Sequence, residues 1–140
     1  MNYNTPEEVI QYTGIRPEDL YLQDDIEAVE GSQTAEEKLN ALIEQWLTQI
    51  KNLINQDRNR DYSAEAEVPP GIRNISLRMA ANMVAQAQLR RETPIVKKDD
   101  FTISMVEDKI FTPSIKSDLS RFPFKPNFRL FYSSRKGRVT

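Results

Sequence analysis

Four pairs of adjacent acidic residues are the side chains that come closest to an acid–base site. The pairs are Glu7-Glu8, Asp24-Asp25, Glu36-Glu37 and Asp99-Asp100. Neighbours in sequence point in different directions on a helix, so such a pair does not bring two carboxylates onto one substrate. Two of the pairs stand where a helix is predicted to begin, and there capping and the helix dipole account for them. We therefore predict no active site built on carboxylates.

Histidine and cysteine are both absent from the 140 residues. Without histidine the chain lacks the commonest general base, and without either residue it cannot form the usual zinc sites. Disulfides and thiolate chemistry are excluded as well. Ser133 and Ser134 have no histidine to activate them, and the four glycines are isolated rather than grouped in a phosphate-binding loop. We predict that the protein is not an enzyme and uses no cofactor or metal.

The end of the chain combines aromatic and cationic side chains. Residues 121–140 contain five aromatic residues, six Lys and Arg, and no acid. Two prolines argue against a helix, and the middle of the segment alternates two apolar or amphipathic faces. A strand with two such faces is suited to β-augmentation, in which it adds to the sheet edge of another chain. We predict an extended C-terminal arm over 123–140, with Phe128, Leu130 and Tyr132 as anchors.

The same segment leaves a second interpretation open. Its cations could neutralise phosphates while its aromatic rings stack on bases, so the alternative is a small nucleic-acid-binding protein with a basic aromatic tail. A disordered tail is a third interpretation, but disordered segments are usually poor in aromatic residues. We prefer docking on a protein partner. The residues assigned to docking are Phe122, Phe124, Lys125, Phe128, Arg129, Leu130, Phe131, Tyr132, Arg135, Lys136 and Arg138.

Short helices are predicted near the N-terminus. Thr5 and Glu8 have the spacing of a capping box, Pro6 suits the first helical position, and Gly14 suits the end of the helix. A second turn or helix is predicted to begin at Pro17 and to continue through about residue 29. Its expected inward residues are Leu20, Leu22, Ile26 and Val29.

Two long amphipathic helices are predicted in the middle of the chain. Thr34 and Glu37 form a second capping box. The apolar stripe that follows is Leu39, Leu42, Ile43, Trp46, Leu47, Ile50, Leu53 and Ile54. After a polar, irregular loop, Pro69 and Pro70 begin the next helix. Its predicted stripe is Ile72, Ile75, Met79, Ala80, Met83, Val84 and Ala87.

The pattern changes after Pro94. Alternating apolar residues predict a small β-hairpin near 101–111. A short closing helix follows, with Thr112 as its cap, and with Ile115, Leu119 and Phe122 one below another. The predicted fold is mainly α: a small helical bundle with two long helices, a small β-hairpin and an extended C-terminal arm. The helical domain is assigned to 1–122 and the arm to 123–140.

Charge is divided unevenly along the chain. Residues 1–70 carry 5 Lys and Arg against 15 Asp and Glu, a net charge of −10, whereas residues 71–140 carry 14 against 6, a net charge of +8. This asymmetry suits a head-to-tail contact between copies, which builds rings. The chain shows no apolar run near 18 residues and no secretory leader, so we expect a soluble protein made in the cytoplasm that does not enter a membrane.

The order of these features resembles a known family. A capped TPEEVIQYTGI helix, a long helix, a polar loop and the Pro-led helix PPGIRNISLRMAANMVA are followed by a small β segment, a short closing helix and a tail. Over roughly residues 3–122 the chain resembles the head–tail adaptor proteins, also called connector or head-completion proteins, of tailed bacteriophages with long tails.

The resemblance implies a structural virion protein at the head–tail interface, made in the host cytoplasm. Such adaptors form a ring, commonly of twelve copies, beneath the portal protein. The ring extends the channel through which DNA passes without sequence-specific binding, and it meets the next connector or tail component. The C-terminal arm reaches the portal, a role that the resemblance gives here to residues from Phe122 to about Arg138.

Overall fold

The computed structural model describes residues 1–26, 30–89 and 109–122, and within these residues it is helical with no β-strand. Four α-helices are present: α1 (Pro6–Thr13), α2 (Ala35–Arg58), α3 (Pro70–Leu89) and α4 (Pro113–Leu119). Two 3-10 turns cover Pro17–Leu20 and Tyr62–Ala64. The predicted mainly helical fold class is thus confirmed for the described part of the chain. None of the helices in that part is both long and apolar enough to cross a membrane.

Both predicted capping boxes are formed. At the start of α1 the Thr5 hydroxyl accepts the Glu8 N–H, and the Glu8 carboxylate accepts the Thr5 N–H at 2.8 Å. Thr34 and Glu37 exchange the same two bonds at the start of α2. Gly14 ends α1 with a φ of 72°, a conformation that costs other residues strain. These local signals fix where the first two α-helices lie in the chain.

The helices pack around α3, which contacts α1, α2 and α4. Contacts along α3 give the direction of α4: Asn82 donates to the Ile110 carbonyl at 3.1 Å, and Arg78 pairs with Asp118 at 2.7 Å. Ile110, which precedes α4, thus meets the later residue of α3, and Asp118, near the end of α4, meets the earlier one, so the two helices run antiparallel. The Arg78 hydrogen bond holds the pKa of the Asp118 carboxyl below its ordinary value.

The predicted apolar stripes form the core. Every residue of the predicted α3 stripe is buried, and in α2 six of the eight are buried while Leu42 and Leu53 are partly buried. Trp46 is the largest fully buried side chain. Burial of each large side chain in such a stripe stabilises the fold by about 1.5–3 kcal/mol. The stripes of α2 and α3 therefore supply most of the buried apolar residues of the described domain.

The predicted helix from Pro17 to about residue 29 is wrong in its length. The observed 3-10 turn ends at Leu20, and the next residue, Tyr21, has a φ of 58° that a helix cannot continue. Leu20 is buried as expected and Leu22 is partly buried, but Ile26 is 74% exposed instead of inward. Val29 lies outside the described residues.

Two aspartates explain why this segment is not a helix. The Asp24 carboxylate accepts the Ala35 N–H at 2.6 Å, and the Asp25 carboxylate accepts the Gln33 N–H at 3.0 Å. Asp25 also pairs with Lys38 at 2.6 Å, and this contact, followed by the Gln33 hydrogen bond, lowers the Asp25 pKa. Side chains that bond distant backbone groups compete with helix formation in their own segment. The segment folds onto the start of α2.

Most of the predicted β-hairpin, 101–108, lies outside the described residues. At its far end Ile110 and Phe111 are described; both are buried, and neither belongs to a strand. The Lys116 ammonium lies 5.2 Å from the centre of the Phe111 ring. The hairpin therefore stays a prediction.

The loop after α2, predicted to be polar and irregular, contains a fully buried residue, Tyr62. Its N–H donates to the Tyr3 hydroxyl at 3.0 Å, and that hydroxyl donates to the Asn55 side-chain oxygen. The two tyrosine rings meet edge to face, 6.5 Å apart between centres. Burial raises the pKa of Tyr3 to about 12. The Tyr3 hydroxyl thus links the N-terminal residues, the end of α2 and the loop through hydrogen bonds.

Replacing Tyr3 by Phe should lower the free energy of unfolding by about 1–3 kcal/mol, because the Tyr62 N–H and the Asn55 oxygen lose their partner. Urea unfolding followed by circular dichroism measures the change. Tyr12→Phe is the matched control, since Tyr12 is 56% exposed and should be nearly neutral. Equal stabilities of the two variants would contradict the structural role of the Tyr3 hydroxyl.

Stability should also fall at alkaline pH through Tyr3. Its pKa rises from 10.0 in the unfolded chain to about 12 in the folded one, so its contribution is complete below pH 10 and is lost as pH rises through 12. The measurement is urea unfolding at intervals across this range. Wild type should lose more stability than Tyr3→Phe, which lacks the ionisable group at residue 3. Parallel losses in the two proteins would refute the assignment.

Candidate partner-docking site

Phe122 is the residue at which the described part of the chain ends and the predicted arm begins. Its N–H donates to the Leu119 carbonyl at 3.0 Å, and its ring is partly buried against the core. Phe122 thus packs against the core of the domain, and it is also the first of the predicted docking residues. The other predicted docking residues lie outside the described part of the chain: Phe124, Lys125, Phe128, Arg129, Leu130, Phe131, Tyr132, Arg135, Lys136 and Arg138.

Gly71 provides the seat for the Phe122 ring. A Cβ placed on residue 71 would lie only 2.2 Å from Phe122 Cζ, far inside contact distance. The ring therefore occupies the space that any other side chain at residue 71 would need. Because Gly71 stands in the first turn of α3, the seat attaches the end of α4 to the beginning of α3.

Arg58 holds the backbone at the same place. Its Nη1 donates to the Phe122 carbonyl at 3.2 Å, and its Nε lies 3.1 Å from the Asp57 carboxylate. The Arg58 side chain is only 16% exposed, so these bonds are partly shielded from water. Phe122 is thus fixed by α2, α3 and α4 together. Phe122, the residue before the predicted arm, therefore has a defined position on the domain.

The domain and the segment after it differ in charge. The described residues carry 10 Lys and Arg against 15 Asp and Glu, a net charge of −5, whereas 123–140 carry five Lys and Arg and no acid. A basic segment attached to an acidic domain can bind either an acidic surface elsewhere or the domain itself. Electrostatics alone does not decide between these partners.

Each described pair of adjacent acids includes at least one residue with a structural role. Glu8 and Glu37 complete capping boxes, while Asp24 and Asp25 bind backbone N–H groups at the start of α2. Asp99-Asp100 lies outside the described residues. Within 1–26, 30–89 and 109–122, no three His, Cys, Asp or Glu side chains are grouped so that they could hold a metal ion.

Comparison with known proteins gives no relative. No protein-family model, curated protein or solved structure matches this chain. Function is therefore inferred from the residues, their contacts and the order of the elements.

Two parts of this site were missed from the sequence. Gly71 follows two prolines at the predicted start of a helix, where a glycine can also indicate close approach of another group. Arg58 carries no sequence signal, because its contact with Phe122 joins residues 64 positions apart. Phe122 itself was predicted both as the last inward residue of the closing helix and as the first docking residue.

Gly71→Ala should lower the free energy of unfolding by about 1–3 kcal/mol, because the added methyl group overlaps the Phe122 ring. This loss has to exceed the helix propensity gained with Ala, which is at most about 1 kcal/mol. Urea unfolding gives the value.

The double variant Gly71→Ala/Phe122→Ala is the control. With the ring removed, the methyl group has room, so the double variant should be no less stable than Phe122→Ala alone. Simple addition of the two single losses would show that Gly71 is not a seat for this ring.

Proposed function

We propose that this chain is a non-enzymatic head–tail adaptor of a tailed bacteriophage. In this proposal copies of the chain form a ring beneath the portal protein and extend its DNA channel. The ring meets the next connector or tail component on its other side. Residues 123–140 form the arm that docks on the portal. The protein's place is then the head–tail interface of the virion.

The observation that carries the proposal is the order of the helical elements together with the fixed exit of the segment. A capped α1, a long α2, a loop, the proline-led α3 and the short α4 follow one another as in the family that the sequence resembles. The last of these helices is followed by Phe122. Its ring packs against Gly71, and its carbonyl accepts a hydrogen bond from Arg58. A folded domain followed by a basic aromatic segment is suited to joining two components.

The charge distribution of the chain supports both the proposed ring and the proposed DNA channel. An uneven distribution of acids and bases allows one surface of a copy to meet a different surface of the next copy, and such contacts close into rings. An acidic domain also repels phosphate, so DNA can pass a channel lined by it without sticking. The described residues up to 70 carry 5 Lys and Arg against 14 Asp and Glu, a net charge of −9, and those from 71 onward carry 5 against 1, a net charge of +4, which agrees with the first requirement. Their sum of −5 agrees with the second.

A second candidate function is nucleic-acid binding through the same segment. The five cations of 123–140 favour it, since each phosphate contact made by Lys or Arg contributes to affinity. The two functions depend on different side chains. Portal docking by β-augmentation needs the apolar anchors, whereas nonspecific binding to duplex DNA depends chiefly on the cations.

Replacing the anchors Phe128, Leu130 and Tyr132 by Ala should abolish association with the portal, because apolar anchors carry most of the energy of such contacts. Co-sedimentation with the portal, with subunit melting as a check of folding, measures the effect. The matched variant replaces Arg135, Lys136 and Arg138 by Gln and should retain most of the binding.

Nucleic-acid binding predicts the opposite order of effects for the Ala and Gln variants. If the segment binds nucleic acid, affinity for a short duplex should be high, should fall steeply as salt rises, and should be lost in the Gln variant. Undiminished portal association by the Ala variant would refute docking through these anchors.

A further inference from the structure

One end of the domain, where α2 begins, is strongly acidic. We call the described residues between 16 and 38 the acidic end; they carry seven Asp and Glu against two cations, a net charge of −5. Both cations already have carboxylate partners, since Arg16 bridges two of the acids and Lys38 lies 2.6 Å from Asp25. The other carboxylates of the acidic end make no ion pair with any described residue: Asp24, Glu30, Glu36 and Glu37.

Two large apolar side chains are exposed at the acidic end. Tyr21 is 64% exposed and Ile26 is 74% exposed. Both lie in the segment that Asp24 and Asp25 attach to the start of α2 through hydrogen bonds. Apolar side chains surrounded by polar ones have the arrangement of a protein–protein interface, with its apolar centre and polar rim. The acidic end therefore suits a protein partner whose surface carries cations.

The exposed face of α4 has the complementary charge. This face, which we call the α4 surface, consists of Lys116, Ser117, Ser120 and, directly after the helix, Arg121. The one acid of α4, Asp118, is paired with Arg78 at 2.7 Å. Neither Lys116 nor Arg121 makes an ion pair in the part of the chain that the structure describes. The α4 surface thus offers two cations without a carboxylate partner.

The acidic end and the α4 surface cannot neutralise each other within one chain. Asp24 accepts the N–H of Ala35, the first residue of α2, whereas Arg58, the last residue of α2, donates to the carbonyl of Phe122, next to Arg121. Because α2 has 24 residues, its two ends are about 35 Å apart. An ion pair requires a separation of about 4 Å. The two surfaces can therefore meet only between copies.

We propose that the acidic end of one copy docks on the α4 surface of a second copy. The carboxylates of the acidic end then face Lys116 and Arg121, and the exposed Tyr21 ring offers a face on which a guanidinium group can stack. Since the two surfaces differ, the contact is head to tail. Each copy keeps one free surface of each kind, so further copies can add and the chain of contacts can close into a ring.

This contact deepens the proposed function and rests on it in one respect, since a ring of adaptors requires a head-to-tail interface. The contact itself needs no portal, so it is tested with the chain alone. Loss of portal binding in a chain that still self-associates would contradict the adaptor function and leave the contact intact. Portal binding by a chain that never self-associates through these surfaces would do the reverse.

Analytical ultracentrifugation of the full chain at low salt measures the self-association. One variant, Glu30→Lys/Glu36→Lys, reverses two charges of the acidic end, and the other, Lys116→Glu/Arg121→Glu, reverses those of the α4 surface. Each should self-associate about tenfold or more weakly than wild type, because like charges then face one another. All four side chains are exposed, so circular dichroism should show folded proteins. Raising salt to about 1 M should weaken wild-type association, since the Debye length falls to about 3 Å.

An equimolar mixture of the two variants tests the pairing itself. The unaltered α4 surface of the first variant can bind the unaltered acidic end of the second, and the two reversed surfaces are also complementary. The mixture should therefore regain the association that each variant alone has lost. As a control, Glu7→Lys/Glu67→Lys makes the same charge change at exposed residues outside both surfaces and should not weaken association. Glu7 lies in the first turn of α1, as Glu36 does in α2.

Tyr21→Gly tests the apolar part of the acidic end without a change of charge. Residue 21 has a φ of 58°, which glycine adopts more easily than tyrosine, so the variant should be no less stable than wild type. Its self-association should nevertheless be weaker, because the exposed ring is lost.

Three results would overturn the proposal. The first is a wild-type chain that stays monomeric at low salt over the whole concentration range. The second is association that the acidic-end variant loses and the α4 variant retains, which would mean that the acidic end binds another part of the second copy, such as its residues 123–140. The third is a mixture of the two variants that associates no better than either variant alone.

Discussion

The packing of α2 on α3 is the interaction on which the rest of the structure depends. Helices of fewer than about 12 residues are marginal in water, and α1 and α4 have only 8 and 7 residues. Each is helical because it buries an apolar face on α3, through residues such as Val9 and Leu119. Loss of the seam would therefore remove the surface that both short helices need.

Both ends of the described chain are tied to one end of this seam. Tyr3 binds Asn55 near the end of α2, and Phe122 is held by Arg58 and Gly71, which lie at the end of α2 and the beginning of α3. The N-terminal residues and the start of the C-terminal segment thus share one region of the molecule.

The elements that could be predicted from the sequence are those whose signals lie close together along the chain. Capping boxes and apolar spacing located α1, α2, α3 and the closing helix, because each signal lies within one or two turns. Prediction failed where contacts between residues far apart in the chain determine the local structure. Asp24 and Asp25 bind the start of α2 and prevent a helix, and Tyr62 is buried by Tyr3, 59 positions away. At the candidate site, Phe122 was predicted but its seat was not, since the ring and Gly71 meet only after folding.

The central claim is that copies of this chain assemble on a portal, and electron microscopy of the purified protein mixed with that portal tests it most directly. The proposal predicts a ring of additional density stacked on the portal and coaxial with its channel. A portal whose images are unchanged by saturating amounts of folded chain would contradict the adaptor function.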